Sequence, residues 1–179
     1  FEHLLGHCQE QGWLKARPRQ RTDSTHVLAS IRAVTRLECV GETLRAALNA
    51  LAIVAPEWLH NQAQPEWVKR YGERIEDYYL PKSKQHRTEQ AERYGRDGYQ
   101  LLDATLAQTS PNWLSQVPAV ETLRRVWVQQ YYRCGEQVEW RQQDNAPSAS
   151  VMISSPYDLD AHYAKKRTTS WVGYKAHLT

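Results

Sequence analysis

Gln20-Arg21-Thr22-Asp23-Ser24-Thr25-His26 is the point at which a short polar extended run changes into a long apolar-striped pattern. Charged side chains occupy every second position up to this point, namely Lys15, Arg17, Arg19, Arg21 and Asp23. This spacing places side chains on one face of an extended strand. The pattern predicts that the Asp23 carboxylate lies at the end of a row of cations, which keep this carboxylate ionised. The same cations would bind phosphates beside Asp23, which is a candidate metal ligand.

Asp23 has two compatible interpretations. A short oxygen side chain at Asp23, Ser24 or Thr25 would cap the helix predicted to follow, because it accepts a hydrogen bond from an unpaired backbone N–H. The same carboxylate, placed beside cations, suits phosphodiester chemistry at a metal ion. The residues alone leave both roles open.

The composition is that of a globular chain of 179 residues, 41% of them hydrophobic, which allows one good core and an appended subdomain. No apolar run of about 18 residues is present to span a bilayer, and the start lacks the blocks of a signal peptide, so the cytoplasm is predicted. Cys8, Cys39 and Cys134 are odd in number and widely spaced, which predicts buried thiols. Because the chain starts at Phe1 and stops at Thr179 within an alternating run, we expect a fragment of a longer protein.

Positive charge is concentrated at the two ends of the chain. Residues 1–55 carry 7 basic and 5 acidic side chains, and residues 156–179 carry 4 and 2. Residues 56–155 carry 12 basic and 13 acidic side chains, as expected of ordinary solvated surface. The sequence therefore predicts that any site for a polyanion involves the ends.

The strongest periodic signal is a helical stripe that begins at Val27 and ends before Pro56. Its apolar members recur every three or four residues, at Val27, Ile31, Val34, Leu37, Val40, Leu44, Leu48 and Leu51. Gly41 interrupts the stripe, so one bent helix or two helices joined there would satisfy it. Two helices would permit a DNA-reading helix-turn-helix with Arg32, Arg36 and Arg45 on phosphates, whereas one helix would bury the stripe in a core.

Further helices and one strand are predicted from the same kind of pattern. The helical pieces are Glu66–Tyr71, Gln85–Gln108, Trp113–Gln116 and a helix from Pro118 to near Cys134. Trp171–Thr179 alternates like a half-buried strand, with Val172, Tyr174, Ala176 and Leu178 facing a core and Trp171, Lys175 and His177 facing away. Asp158 and Asp160, which follow Pro156 and Tyr157, form either a metal-binding pair or a turn or helix cap.

Two distant segments together resemble bacterial insertion-sequence DDE transposases. The first is Arg19-Gln-Arg-Thr-Asp23-Ser-Thr-His-Val27. The second runs from Ser155-Pro-Tyr-Asp158-Leu-Asp-Ala-His-Tyr163-Ala-Lys-Lys166 to Trp171-Val-Gly-Tyr-Lys175-Ala-His-Leu-Thr179. The helical segments Val40–Asn49 and Glu121–Gln130 are also similar to one branch of these proteins, so the resemblance covers nearly the whole chain.

The resemblance implies a mainly α fold with a small β component. It implies a partial RNase H-like core in which Asp23 ends the first strand and Trp171–Thr179 forms the second, interrupted by a helical insertion. The implied parts are 1–40 with the first strand and the following helix, 41–150 as the insertion, and 151–179 as the return to the core. The polar segment Lys15–Thr22, with Pro18, departs from the apolar first strand of such a core, because Pro belongs at strand edges or bulges.

The chemistry that the resemblance implies is metal-dependent DNA cleavage and strand transfer at insertion-sequence ends. Three carboxylates hold two Mg²⁺ (or Mn²⁺) ions in such sites, and Asp23 would supply the first. The second Asp and the Glu are expected beyond this chain, so the 179 residues alone are expected to be inactive. The residues expected to bind DNA are Lys15, Arg17, Arg19, Arg21, Lys165, Lys166, Lys175 and His177.

The expected partner is double-stranded DNA, both transposon ends and target, with a homodimer in the full-length protein and no membrane. Two other hypotheses remain open. The chain could be a non-catalytic helical DNA-binding or regulatory module, in which Asp23 is a cap and the basic ends contact phosphates. It could also be a helical scaffold that binds no nucleic acid.

Overall fold

The computed structural model describes residues 3, 7, 10, 11, 23–28, 35–142, 144–166 and 168–178, and for 23–28, 166 and 175–178 it describes the backbone. The described part is mainly helical with two small antiparallel sheets, which confirms the predicted class. In chain order the elements are β1 Asp23–Leu28, α1 Arg36–Val54, α2 Pro56–Gln62, α3 Pro65–Tyr71, α4 Lys84–Leu106, a 3-10 helix Asn112–Gln116, α5 Pro118–Gln130, β2 Tyr131–Cys134, β3 Gln137–Trp140, β4 His162–Lys166 and β5 Thr169–Leu178.

Two compact units make up the chain. The smaller contains Phe1–Val27 and Lys175–Thr179, and the larger contains Leu28–Tyr174. The predicted boundary between residues 40 and 41 falls inside α1. Otherwise the predicted division into 1–40, 41–150 and 151–179 stays a prediction. None of the described helices combines the length and the apolarity needed to cross a membrane.

The region around Asp23 differs from the prediction. Asp23 begins β1 instead of ending a strand, and Val27 belongs to β1 instead of to the following helix. Thr25 and Val27 are β-branched and suit a strand, a preference that the helical spacing of the apolar residues concealed. Asp23, Ser24 and Thr25 therefore cap no helix. The predicted strand over Lys15–Thr22 lies outside the described residues.

α1 is one continuous helix, so the one-helix alternative is confirmed and the helix-turn-helix hypothesis across Gly41 is wrong. Thr35 starts the helix with a capping box: its Oγ1 accepts from the Glu38 N–H, and the Glu38 carboxylate accepts from the Thr35 N–H, both at 3.3 Å. The helix ends at Val54, two residues before Pro56. A capping box fixes the first turn of a helix, which explains why the helix begins well after Val27.

The core of the larger unit lies between α1, α4 and α5. The predicted stripe is buried at Leu37, Leu44 and Leu51. α4 and α5 approach closely because α4 has Gly98 where it meets Trp127, which is completely buried. Gly41 allows a similar approach of Ile75 to α1. At Gly98 the Trp127 ring leaves no space for a Cβ, whereas at Gly41 the nearest atom is the end of the flexible Ile75 side chain.

The helix predicted from Pro118 to near Cys134 is shorter than expected. α5 ends at Gln130, and Tyr131 turns into the extended backbone of β2, which pairs with β3 across a turn at Gly135, whose φ is 61°. Tyr131 is buried and its hydroxyl donates to the Ala91 carbonyl at 2.7 Å, which holds the start of the hairpin against α4. Cys134 is consequently exposed, which corrects the prediction of a buried thiol.

Cys39 is buried as predicted, and burial raises the pKa of its thiol to about 12. Cys8 lies outside the described residues.

β4 and β5 form an antiparallel hairpin in which His162 pairs with Gly173 and Lys166 with Thr169. The predicted strand is confirmed, but Tyr174, which was predicted to face a core, is exposed. The predicted faces of Lys175, Ala176, His177 and Leu178 lie outside the described side chains and stay predictions. The Tyr174 hydroxyl donates to Asp158 Oδ2. Asp158 Oδ1 accepts from the backbone N–H of Asp160 at 3.3 Å and of Ala161 at 3.1 Å, which confirms the turn at these two acids.

Candidate functional site

The strand that begins with Asp23 lies next to the strand that carries Lys175 and His177. The three-stranded sheet has the order β1-β5-β4, in which neighbours are hydrogen-bonded. Residues 23–27 of β1 and residues 175–178 of β5 both belong to the smaller unit, although they come from opposite ends of the sequence. The fold thus brings the first and last quoted segments together, as the resemblance requires.

The predicted DNA-binding residues are distributed over two strands where the structure describes them. Lys165 lies on β4 opposite Ser170 and is exposed, and Lys166 lies opposite Thr169. Lys175 and His177 are two residues apart on β5. The row Lys15, Arg17, Arg19 and Arg21 lies outside the described residues and stays a prediction.

The residues described here do not form a complete metal site. No group of three or more His, Cys, Asp or Glu side chains that could hold a metal ion is found among them. Asp23 would supply one hard oxygen ligand, and a pair of Mg²⁺ ions needs several such ligands converging on one phosphate.

In the larger unit, two of the quoted segments meet at the buried carboxylate of Glu42, which is 3% exposed. Arg45 Nε donates to Oε1 at 2.8 Å, and the Ile75 N–H donates to the same oxygen at 2.6 Å. Arg45 Nη2 donates to Oε2 at 3.0 Å, and the Tyr157 hydroxyl does so at 2.6 Å. These four bonds match the four lone-pair positions of a carboxylate, so Glu42 has no position left for a metal.

The Glu42 network is charged at neutral pH. Burial would raise the pKa of Glu42, but hydrogen bonds from Arg45, Tyr157 and the Ile75 N–H outweigh burial and hold that pKa below its ordinary value. Burial, and then the hydrogen bond to Glu42, raises the pKa of Tyr157. The Tyr157 hydroxyl therefore stays protonated and donates a hydrogen bond to Glu42. Glu42 therefore joins α1 to the segment before β4 and does not act as a catalytic acid.

Tyr157→Phe is expected to destabilise the chain by about 1–2 kcal/mol at neutral pH, because a hydrogen bond to a buried carboxylate is lost. The pKa of folded Glu42 lies below its unfolded value of about 4.3, so the network stabilises the fold above that pH and loses this effect as pH falls through the folded pKa. The difference between wild type and variant should thus shrink as pH falls through the lowered folded pKa of Glu42. Urea unfolding at neutral pH and at a series of acidic pH values measures it. Tyr163→Phe, on an exposed residue of β4, is the control, and an equal loss in both variants would contradict the role of Tyr157.

A second joint connects α5 to the segment that leads to β4. Gln129 Oε1 accepts from the Ile153 N–H at 2.9 Å, and Gln129 Nε2 donates to the Val151 carbonyl at 3.2 Å. Gln130 is 1% exposed, and its Oε1 accepts from Arg36 Nε at 2.7 Å. This joint could not be predicted from the sequence, because glutamine at the end of an amphipathic helix is ordinarily a surface residue. Gln129 therefore ties α5 to the segment that leads to the hairpin β4–β5, and Gln130 ties α5 to α1.

Comparison with known proteins found no match: no family model, no curated protein and no solved structure is significantly similar to this chain.

Proposed function

We propose that this chain is part of the catalytic domain of a DDE transposase, an enzyme that cleaves DNA at insertion-sequence ends and transfers the strands to a target. The observation that carries the proposal is the neighbour relation of β1 and β5. β1 begins with Asp23, and β5 contains the segment Gly173-Tyr-Lys-Ala-His177. These are the two motifs on which the resemblance depends, and their strands lie side by side.

The same relation supports a partial RNase H-like core. In this interpretation β1 and β5 are its first two strands, and the helices from α1 to α5 are an insertion between them. Insertions between adjacent strands are tolerated because the free energy of closing a loop grows slowly with loop length. The mainly helical composition of the chain is therefore compatible with a catalytic core built on a sheet.

Asp23 would be one ligand of the catalytic metal ions, Mg²⁺ or Mn²⁺. When two such ions are bound, they stabilise the attacking and leaving oxygens of an in-line displacement at a phosphodiester. The proposed task of Asp23 is to present a carboxylate from β1 to the metal ions. Lys175 and His177, on the neighbouring strand, are proposed to contact DNA phosphates. The partners proposed for this role are double-stranded DNA and a second copy of the full-length protein. The proposed location is the bacterial cytoplasm, where the DNA is accessible.

The full-length protein that contains this chain tests the proposal. It is incubated with a plasmid that carries the element's own ends, in Mg²⁺, in Mn²⁺ and in EDTA. We expect strand cleavage at the ends with either metal ion and none in EDTA, because the ions carry the chemistry. The 179-residue chain alone is expected to cleave nothing.

Each other outcome counts against the proposal in a specific way. DNA binding without cleavage under all three conditions would favour the non-catalytic binding module. Absence of both binding and cleavage would favour a helical scaffold. Cleavage by the 179-residue chain alone would contradict a site completed by carboxylates outside it.

A further inference from the structure

The larger unit contains a groove of about 680 Å³ whose walls are rich in cations. We call it the basic groove and define it by its charged lining residues, which are Arg36, Lys82, Lys84, Arg87, Arg141 and Asp144. They come from α1, from the start of α4 with the segment before it, and from the segment after β3. The nearly balanced charge of residues 56–155 concealed this cluster in the sequence, because the folded chain places these cations together.

The groove keeps an excess of positive charge. Arg87 pairs with Asp77 at 2.9 Å, and this guanidinium holds the pKa of Asp77 below its ordinary value, so the pair is neutral as a unit. Among the described residues that line the groove, Asp144 is the one carboxylate. Lys82 and Lys84 are exposed, so they can reach a ligand without breaking the core.

Arg36 is fixed in place by neutral partners. Its Nε donates to Gln130 Oε1 at 2.7 Å, its Nη2 donates to the Arg141 carbonyl at 2.8 Å, and its guanidinium lies 4.6 Å from the ring centre of Trp140. Burial lowers the pKa of Arg36, which means that its charge has lost part of its hydration. An anion in the groove would restore a favourable interaction for that charge.

The start of α4 adds to the field in the groove. Ser83 caps the helix and accepts from the His86 N–H at 3.2 Å, and Lys84 is the first helical residue. The first turn, all of it described, contains no acidic side chain. A lysine at this end opposes the helix dipole, so its position costs stability that a bound anion would offset.

We infer that the basic groove binds the phosphate backbone of double-stranded DNA. A site for a small apolar ligand is normally lined by hydrophobic side chains, whereas Trp140 is the one large apolar residue among those that line this groove. Cations on three separate segments suit a polyanion with charges at regular intervals better than a single phosphate group. The choice of duplex DNA as the ligand rests on the proposed function, in which duplex DNA is the substrate. The basic groove would add a DNA-binding surface within the helical part of the chain.

The test measures binding of the 179-residue chain to a labelled random-sequence DNA duplex in EDTA. Because no cleavage is involved, a failure to bind in this test is distinguishable from a failure of the full-length protein to cleave DNA. The duplex has about 30 base pairs, and salt is varied from about 50 to 200 mM. Lys82→Gln with Lys84→Gln is expected to weaken binding by at least about tenfold at about 100 mM salt and to reduce the slope of log affinity against log salt by about 2.

Lys69→Gln with Arg125→Gln is the matched control, because both residues are exposed, neither lines the groove, and the change in net charge is the same. We expect this control to bind like the wild type. Equal losses in the two double variants, no loss in the groove variant, or no duplex binding by the wild type would each overturn the inference. Equal or tighter binding of an RNA duplex would overturn the assignment to DNA. Circular dichroism verifies folding, and Lys84→Glu, a single exposed substitution, is the second variant if the double variant is unfolded.

Discussion

Asp23→Asn in the full-length protein is expected to lower metal-dependent DNA cleavage by about a thousandfold or more. Asparagine keeps the size of the side chain and one carbonyl oxygen but loses the negative charge that holds a divalent ion. A factor of a thousand corresponds to about 4 kcal/mol of transition-state stabilisation, which is within the several kcal/mol that a catalytic metal ion supplies. Affinity for DNA should change little, because cations, and not Asp23, contact the phosphates.

Asp160→Asn is the control for this substitution. Asp160 is an exposed aspartate in the turn before β4, and the structure assigns it no metal-binding role. Rates of strand cleavage and affinities for the same duplex are measured for both variants at saturating Mg²⁺. Full activity in Asp23→Asn, or equal losses in the two variants, would remove Asp23 from the catalytic site.

Gly98→Ala is expected to destabilise the chain by at least about 2 kcal/mol. An ideal Cβ at this position would lie 2.2 Å from Trp127 Cε2 and Cζ2, far closer than any ordinary contact. Trp127 cannot move away easily, because it is completely buried and its indole N–H donates to the Gly95 carbonyl at 3.0 Å. Alanine gains about 1 kcal/mol in helix propensity, but forcing two buried helices apart costs more than this gain.

Gly41→Ala makes the same chemical change in α1 and provides the comparison. Its ideal Cβ would lie 2.5 Å from Ile75 Cδ1, which is the end of a flexible side chain, and 3.0 Å from Tyr94 Cε2. Because Ile75 can change rotamer, we expect a loss of less than about 1 kcal/mol. Urea unfolding of both variants measures the difference. Equal losses at the two positions would contradict the argument from the rigidity of Trp127.

The longest helices could be predicted from local spacing. α4 spans Lys84–Leu106, close to the predicted Gln85–Gln108, because its apolar positions recur with the helical period and its first residue follows a capping serine. β5 could be predicted from the alternation of apolar and polar residues along it, which is also a local signal. Burial of the stripe in α1 followed from the same periodicity.

Elements that depend on distant partners could not be predicted in this way. The apolar residues Tyr131 and Val138 continue a plausible helical pattern after α5, and Gly135 alone marks the turn of the hairpin. The continuation of β1 from Asp23 to Leu28 was not predicted, because the apolar residues from Val27 onward recur with a helical spacing. Strand pairing depends on residues far apart in sequence, which local spacing does not report.

The candidate site was accessible to sequence analysis only through the resemblance. The motifs at Asp23 and Lys175 suggested adjacent strands, and β1 is the neighbour of β5. The network at Glu42 was missed, because a glutamate on an amphipathic helix gives no sign that a tyrosine over a hundred residues later will bond to it. The basic groove was missed because charge was averaged along the chain, whereas an electric field depends on positions in space.

Because the basic groove is formed by three separate segments of the chain, binding of a ligand in it depends on folding. Since its walls come from α1, α4 and the end of the hairpin β2–β3, the groove exists only while these elements are assembled. A polyanion that binds this groove in the native state, and not the unfolded chain, would add about 2.7 kcal/mol to the free energy of unfolding at a hundred times its dissociation constant, and would thereby raise the melting temperature. Nucleic acid bound in the groove would in this way be a thermodynamic stabiliser of the folded chain.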